Sequence, residues 1–429
     1  MPPQTLPSQF HSLINLEILR LTMKYYPEKL EYHVNKERGF TVGQLRNMNQ
    51  LRGDLSILGL EDIDNKEEAM KAKLKEKRHL KHLCLCWNNT VHGCEQSDVQ
   101  EEVIEGLEPH PNLEGLEIKG YMGFKIPSWL MKLHKLKRIY LSNCRNLPCL
   151  PAAVGLLHSL EELRLFDIEN LAIECKPCDY SETEIFPSLQ LLSLNKITVS
   201  FTGMPISSSS SSSSSSLAAP RQRKLFPRLQ NLTVEKCNGV NEFPWPIYST
   251  LKELNIRNSP DLDDQLPECL HNLSSLTRLG LRGAKIITFA TEMMATLLAL
   301  EELLLIDCNE LSSVEGLQAL PSLRYLTISN CPKFRSWCME EMPTLCEIHI
   351  NSCQDLASLP AWLHRLLLLK RLNIVFCSKF DSLPEGGLPS SLKTLEIIEC
   401  DPGLMERCQQ ERSPEWLMIQ HIPQKYFSY

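Results

Sequence analysis

The sequence predicts an α/β solenoid, and three observations carry the prediction. First, apolar residues alternate in short runs such as Leu303 and Leu305, which is strand period, while Leu300 and Leu311 flank the run too far out to belong to it. Second, the run recurs. Its first apolar residue falls at Leu116, Ile139, Leu163, Leu192, Leu232, Leu254, Leu279, Leu303, Leu326, Ile348, Leu372 and Leu395, with successive spacings of 23, 24, 29, 40, 22, 25, 24, 23, 22, 24 and 23. Third, a cysteine stands three residues after the second strand apolar at Cys144, Cys237, Cys308, Cys331, Cys353, Cys377 and Cys400. A small thiol packs in such a slot.

The unit is L-x-x-L-x-L-x-x-C-x-L, the leucine-rich-repeat signature. One copy cannot bury its apolar face, whereas stacked copies join their leucines into one continuous core. The expected form is a horseshoe with a parallel concave β-sheet and a mostly irregular or short-helical convex side.

Taken in order, residues 1–60 hold degenerate repeats. A strand is expected at Leu19-Arg20-Leu21, then a charged excursion, then strands at Leu55-Ser56-Ile57 and Leu83-Cys84-Leu85. The solenoid proper spans 61–400. Near its start, Asp64 to Lys77 is rich in Ala, Glu and Lys, with Asp64 or Asn65 placed to cap it, and predicts a surface helix whose lysines form a solvated basic cluster with Arg78 and Lys81. Residues 167–188 stretch one repeat. The 40-residue spacing contains Ser207 to Ser216, and a loop over 203–224 is expected to be disordered and to leave from an edge or the convex side. Phe243-Pro244, Leu266-Pro267, Leu359-Pro360 and Leu383-Pro384 favour irregular convex segments. Residues 401–429 form a C-terminal cap, with Trp416, Leu417, Ile419 and Ile422 covering the last rung.

Composition excludes several classes. The 45 basic and 52 acidic residues give a net charge of −7, against a general nucleic-acid binder. No apolar run is long enough to span a membrane, and the opening Met-Pro-Pro-Gln-Thr-Leu-Pro-Ser lacks the apolar core of a signal peptide. Seventeen cysteines, seven of them in the repeat slot, fit a reducing compartment better than a disulfide framework. Cys175-Lys176-Pro177-Cys178 has no second ligand pair for zinc. The sequons at Asn88, Asn231 and Asn272 read as chance. No phosphate-binding loop, nucleophile elbow or H-E-x-x-H occurs. No catalytic residue, metal or cofactor is therefore assigned, and the chain reads as no enzyme.

What remains is the strand face between the inward leucines. Partner-binding candidates on the concave face are Tyr325, Thr327, Glu347, His349, Arg371, Asn373, Thr394 and Glu396, with Tyr325, His349 and Asn373 expected in one row. This face is chemically mixed over a uniform apolar ladder, which suits macromolecular recognition.

Three segments carry a resemblance. Phe40 to Leu60, the run Lys77 to Trp87, and the end, with Leu404 to Cys408, Glu415-Trp416 and His421-Ile422-Pro423, resemble the leucine-rich-repeat region of plant intracellular immune receptors of the nucleotide-binding, coiled-coil type. The resemblance implies a cytoplasmic sensor and autoinhibitory region, with nuclear or peripheral membrane association left open. Its implied partners are pathogen effectors or guarded host proteins, and the receptor's nucleotide-binding domain in cis or trans. Members of that family carry a signalling domain and a nucleotide switch; this chain has neither, so a truncated decoy is an alternative. A ubiquitin-ligase substrate receptor is another, although its F-box and Ile-Thr-Asp run are missing.

Overall fold

A computed structural model describes residues 20–21, 29–88, 97–174, 184–202, 224–239, 250–263, 265–271, 273–337 and 342–428. Leu13 to Leu19, the Cys175/Cys178 pair, the serine tract and Phe243-Pro244 lie outside the described residues. The chain forms two compact units, Met1–Leu171 and Ala172–Tyr429.

In the first unit the strands are β1 (Arg20–Leu21), β2 (Lys29–His33), β3 (Gly53–Leu58), β4 (Leu80–Cys86), β5 (Gly115–Lys119), β6 (Arg138–Ser142), β7 (Cys149–Leu150) and β8 (Glu162–Glu174). From β2 through β6, and from β6 to β8, the pairing is parallel, with Leu30, Leu55, Leu83, Leu116, Ile139 and Leu163 in one register row. Two expectations change here. The charged excursion contains a full rung, because Leu30 and Tyr32 alternate and both are buried. Arg20–Leu21 pairs with that rung antiparallel, so it does not continue the parallel repeat.

The expected helix over 64–77 is also shorter. Asn65 caps α1 (Lys66–Met70), its side chain accepting from Glu68 N at 2.9 Å. Lys73 then turns left-handed at φ 49°, and a 3-10 turn follows at Leu74–Glu76. Lys73 and Lys75 pair with Glu76 and Glu108, which neutralises part of the basic cluster. Lys77 leaves the surface altogether. It is fully buried and donates from Nζ to Leu45 O at 2.7 Å.

Burial holds the Lys77 ammonium down at about 8, against its usual 10.5. The unfolded chain therefore binds more protons between those values, and stability gained from this group rises with pH across that window. A shift of that size corresponds to about 3 kcal/mol. Lys77→Met is expected to stabilise the chain by roughly 2 kcal/mol at pH 7, with the gap over wild type closing towards pH 10. Urea melts of both chains at the two pH values check it; a constant gap would contradict it.

In the second unit the strands are β9 (Glu184–Ile185), β10 (Leu191–Thr202), β11 (Lys224–Leu225), β12 (Asn231–Glu235), β13 (Glu253–Arg257), β14 (Arg278–Arg282), β15 (Glu302–Ile306), β16 (Tyr325–Ser329), β17 (Glu347–Asn351), β18 (Arg371–Val375), β19 (Thr394–Ile398) and β20 (Gln424–Ser428). Strands β10 and β12 pair in parallel, as the 40-residue excursion required. Every further neighbour through β20 pairs in parallel too. Lys224, expected in the loop, instead starts β11, which pairs with β9 beside the Phe186 and Phe226 rings, whose centroids lie 5.1 Å apart at a tilt of 34°.

Leu192, Leu232, Leu254, Leu279, Leu303, Leu326, Ile348, Leu372 and Leu395 stand at zero exposure along one ladder. Burying each contributes roughly 1.5–3 kcal/mol of gross hydrophobic stabilisation. The flanking Leu300 and Leu311 also turn fully inward. The side opposite the sheet is built of short pieces such as α3 (Leu266–Leu270), α4 (Thr291–Met294) and a 3-10 turn at Ala361–Arg365. Leu266-Pro267 starts α3 rather than an extended segment, because proline is tolerated in a first helical turn.

The residue leaving each strand adopts a left-handed backbone: Asn258, Asp307, Asn330, Ser352, Phe376 and Glu399 have φ between 48° and 56°, and Gly283 has φ 69°. The turn aims its N–H at the next rung, as in Asp307 N to Ser329 O at 2.9 Å and Asn330 N to Asn351 O at 2.8 Å. The slot cysteine follows directly. Cys331 Sγ, for example, donates to Ser329 O at 3.4 Å and to Leu305 O at 3.8 Å, bridging two rungs.

Candidate functional site: the open sheet faces

In the second unit, strand alternation puts Leu326 and Ile328 inside and Tyr325, Thr327 and Ser329 on the open face. Register then sorts the predicted candidates into two rows. One is Tyr325, Glu347, Arg371, Thr394 and Gln424; the other is Thr327, His349, Asn373, Glu396 and Tyr426. Tyr325 therefore does not share a row with His349 and Asn373, since it lies one pleat step before them. Thr394 is withdrawn from the face. It is buried, with its hydroxyl 3.1 Å from Gln424 Oε1, because β20 packs alongside it.

Glu347 organises the centre, with His349 Nε2 at 3.2 Å and Arg371 Nε at 3.9 Å. These groups are about a third to a half exposed, so the pairs are worth under about 1 kcal/mol each and stay available to a partner. The Arg324 guanidinium lies 5.8 Å from the Tyr325 ring centroid. Tyr325 and Tyr426 present exposed aromatic faces at the two ends of this patch. Tyr426 escaped sequence reasoning, because Gln424 to Ser428 reads Gln-Lys-Tyr-Phe-Ser and shows no strand alternation.

The first unit has its own face, also missed from sequence. A depression of about 520 Å³ is lined by residues of β3, β4, β5, β6 and β8. Asp54, His82, Gly115, Arg138 and Glu162 form one of its register rows. His82 contacts Asp54 through Nδ1 and Arg138 through Nε2. A guanidinium can only donate, so Nε2 accepts, and the ring proton sits on Nδ1 facing the carboxylate. Gly115 makes this possible: a Cβ there would meet the His82 ring at 2.3 Å. The legible signal was a glycine where neighbouring rungs carry a side chain. In the parallel row, burial pushes the Cys84 thiol up to about 12, so it stays protonated at neutral pH and is no nucleophile. Beside it, Lys119 pairs with Glu117 at 2.8 Å and lies 5.9 Å from the Tyr140 ring.

The leucine-rich-repeat family described as R13L1/DRL21 LRRs matches residues 42–168 and 255–331. The Solanum bulbocastanum protein RGA4 is 30% identical over 270 residues, 61% of this chain and 25% of that protein. Disease resistance protein RGA2 of the same species is 30% identical over 293 residues, 66% of this chain and 26% of that one. The chain is a leucine-rich-repeat solenoid similar to the repeat regions of these plant disease-resistance proteins. The chain spans about a quarter of the length of these relatives. Among solved structures, the Drosophila Toll–Spatzle complex matches with a TM-score of 0.50 at 12% identity, covering 87% of this chain and 44% of that one, a likeness of fold alone. No helix among the described residues is long and apolar enough to cross a membrane.

Proposed function

We infer that this region is the protein-recognition part of a plant immune receptor, reading pathogen effectors or guarded host proteins through its open sheet faces. In the same reading it restrains the receptor's nucleotide-binding domain, in cis or in trans, and acts in the cytoplasm. One observation carries the reading. Along each strand, invariant apolar residues hold the ladder while the alternating outward positions vary through Tyr, Glu, Arg, His and Asn. That division lets surface chemistry change without cost to the fold. The buried slot thiols, donating to carbonyls across rungs, support a reducing compartment.

The test is partner capture by a chain altered only on the face. Tyr325→Ala with Arg371→Ala is expected to keep the wild-type circular dichroism and Tm while weakening capture of a validated partner by about tenfold or more. Capture equal to wild type would place recognition away from this patch.

A further inference from the structure

The first unit holds a small cavity of about 170 Å³, built from residues that follow β3 and β4 rather than from the strands themselves. Leu60 and Glu61 reach it from the 3-10 turn Leu60–Asp62, and Ile63 and Asp64 from the residues just after. Val99, Gln100 and Val103 come from one face of α2 (Ser97–Gly106), and Trp87 completes the lining. Leu60, Ile63 and Val103 are buried, whereas Val99 is 36% exposed and marks the open side.

Its polar groups are unevenly matched. Trp87 is 3% exposed, and its Nε1 is buried without a hydrogen-bond partner. Buried donors are nearly always paired. Trp129 in the same unit shows the usual case, with Nε1 donating to Ile104 O at 2.8 Å. Trp337 Nε1 also lacks a partner, but its ring stands edge to face with Phe334 and Trp362, whose π faces are weak acceptors. Gln100 is buried too. Met122 N donates to its Oε1 at 2.8 Å, which fixes the amide and leaves the NH2 end with no partner among the described residues. Glu61 is the acceptor of the set. It takes Asn88 N at 2.9 Å and Asn88 Nδ2 at 2.7 Å, both neutral donors, and no cation stands against it among the described residues. Asp64, by contrast, is paired with Lys36.

These groups select a ligand by elimination. An ammonium or guanidinium only donates, so it would leave the Trp87 N–H orphaned. A carboxylate or phosphate would face the uncompensated charge of Glu61. A purely apolar group would satisfy neither donor. A primary carboxamide carries one acceptor and two donors, which meets all three needs. Small-molecule and cofactor sites run to about 300–1,000 Å³, so this smaller space suits a single side chain. We propose that the cavity receives the carboxamide of a glutamine side chain on a partner polypeptide. Its carbonyl accepts from Trp87 Nε1 and Gln100 Nε2, its NH2 donates to Glu61, and its two methylenes lie against Leu60, Ile63 and Val103. The site is separate from the strand faces and does not depend on the reading of those faces.

The experiment follows the indole N–H signals of the full chain by nitrogen–proton correlation NMR while N-acetyl-glutamine N-methylamide is added. The sequence has six tryptophans, and Trp87→Phe identifies the Trp87 signal. Saturable movement of that signal is expected, half complete at about millimolar ligand, the range open to one small group. The glutamate and methionine analogues, and free L-glutamine with its α-carboxylate, should each bind about tenfold more weakly or worse. Val99→Trp, at an exposed helix position, should fill the open side and abolish the movement with unchanged circular dichroism. No saturable movement, an equal response to the methionine analogue, or wild-type binding in Val99→Trp would overturn the proposal. So would free glutamine binding as well as the blocked residue, because the site would then hold a free amino acid rather than a partner's side chain.

Discussion

A chain ending at Asp401 is expected to aggregate on expression, or to melt about 10 °C or more below the full chain. The removed segment supplies α5 (Pro402–Gln409), α6 (Pro414–Ile419) and β20. Asp401 caps α5 through Leu404 N at 2.8 Å, Ser413 caps α6 through Trp416 N at 2.9 Å, and Arg407 ties the two by pairing with Glu415 at 2.6 Å. Leu404, Met405, Cys408, Ile419 and Ile422 are all buried. Losing five such side chains forfeits on the order of 10 kcal/mol of gross burial. It also bares the backbone edge of β19, which now pairs with β20. Trp416 and Leu417, expected to take part, contribute less: Leu417 is 52% exposed and Trp416 is only partly covered, because α6 turns Ile419 inward instead. Static light scattering and a thermal melt read the result; a monodisperse chain melting as wild type would refute the capping role.

Leu326→Asp is expected to unfold the repeats around it. Leu326 has no exposure, and its register partners are Leu303 and Ile348, also without exposure. No basic side chain occupies that ladder, so the carboxylate would be buried without a partner or protonated at high cost. Removing the apolar contacts alone costs about 2–5 kcal/mol, the value to expect for Leu326→Ala, and the aspartate should exceed it. Because each rung leans on its neighbours, the damage should spread along the ladder. Urea unfolding followed by circular dichroism checks both variants, and a Leu326→Asp chain no less stable than Leu326→Ala would contradict the account.

The regular rungs were legible in the sequence because two constraints coincide there: strand alternation and a near-constant period. Those constraints place Leu192 through Leu395 in the observed register without further information. Where one constraint failed, legibility failed with it. Leu30 and Tyr32 form a rung, but the charged residues around them mask the alternation. Lys77 looked like a helix-surface residue until Lys73 turned left-handed and redirected the chain inward. The left-handed exits carry Asn, Asp, Ser, Phe and Glu rather than a fixed glycine, so no residue type announces them. The face candidates were found by parity, yet their rows depended on exact register, which misassigned Tyr325 by one pleat step. Thr394 was lost to β20, a strand that reaches the last rung only after two intervening helices in the chain. His82 and Arg138 meet only because Gly115 between them has no side chain, a three-rung relation that no single repeat displays.

The central claim is that ladder and face are separable: one holds the fold and the other selects the partner. The most direct measurement is the amount of a validated partner captured by Tyr325→Ala/Arg371→Ala at a folded concentration matched to wild type. The account predicts an unchanged Tm together with capture reduced about tenfold. An unchanged Tm with wild-type capture would contradict it.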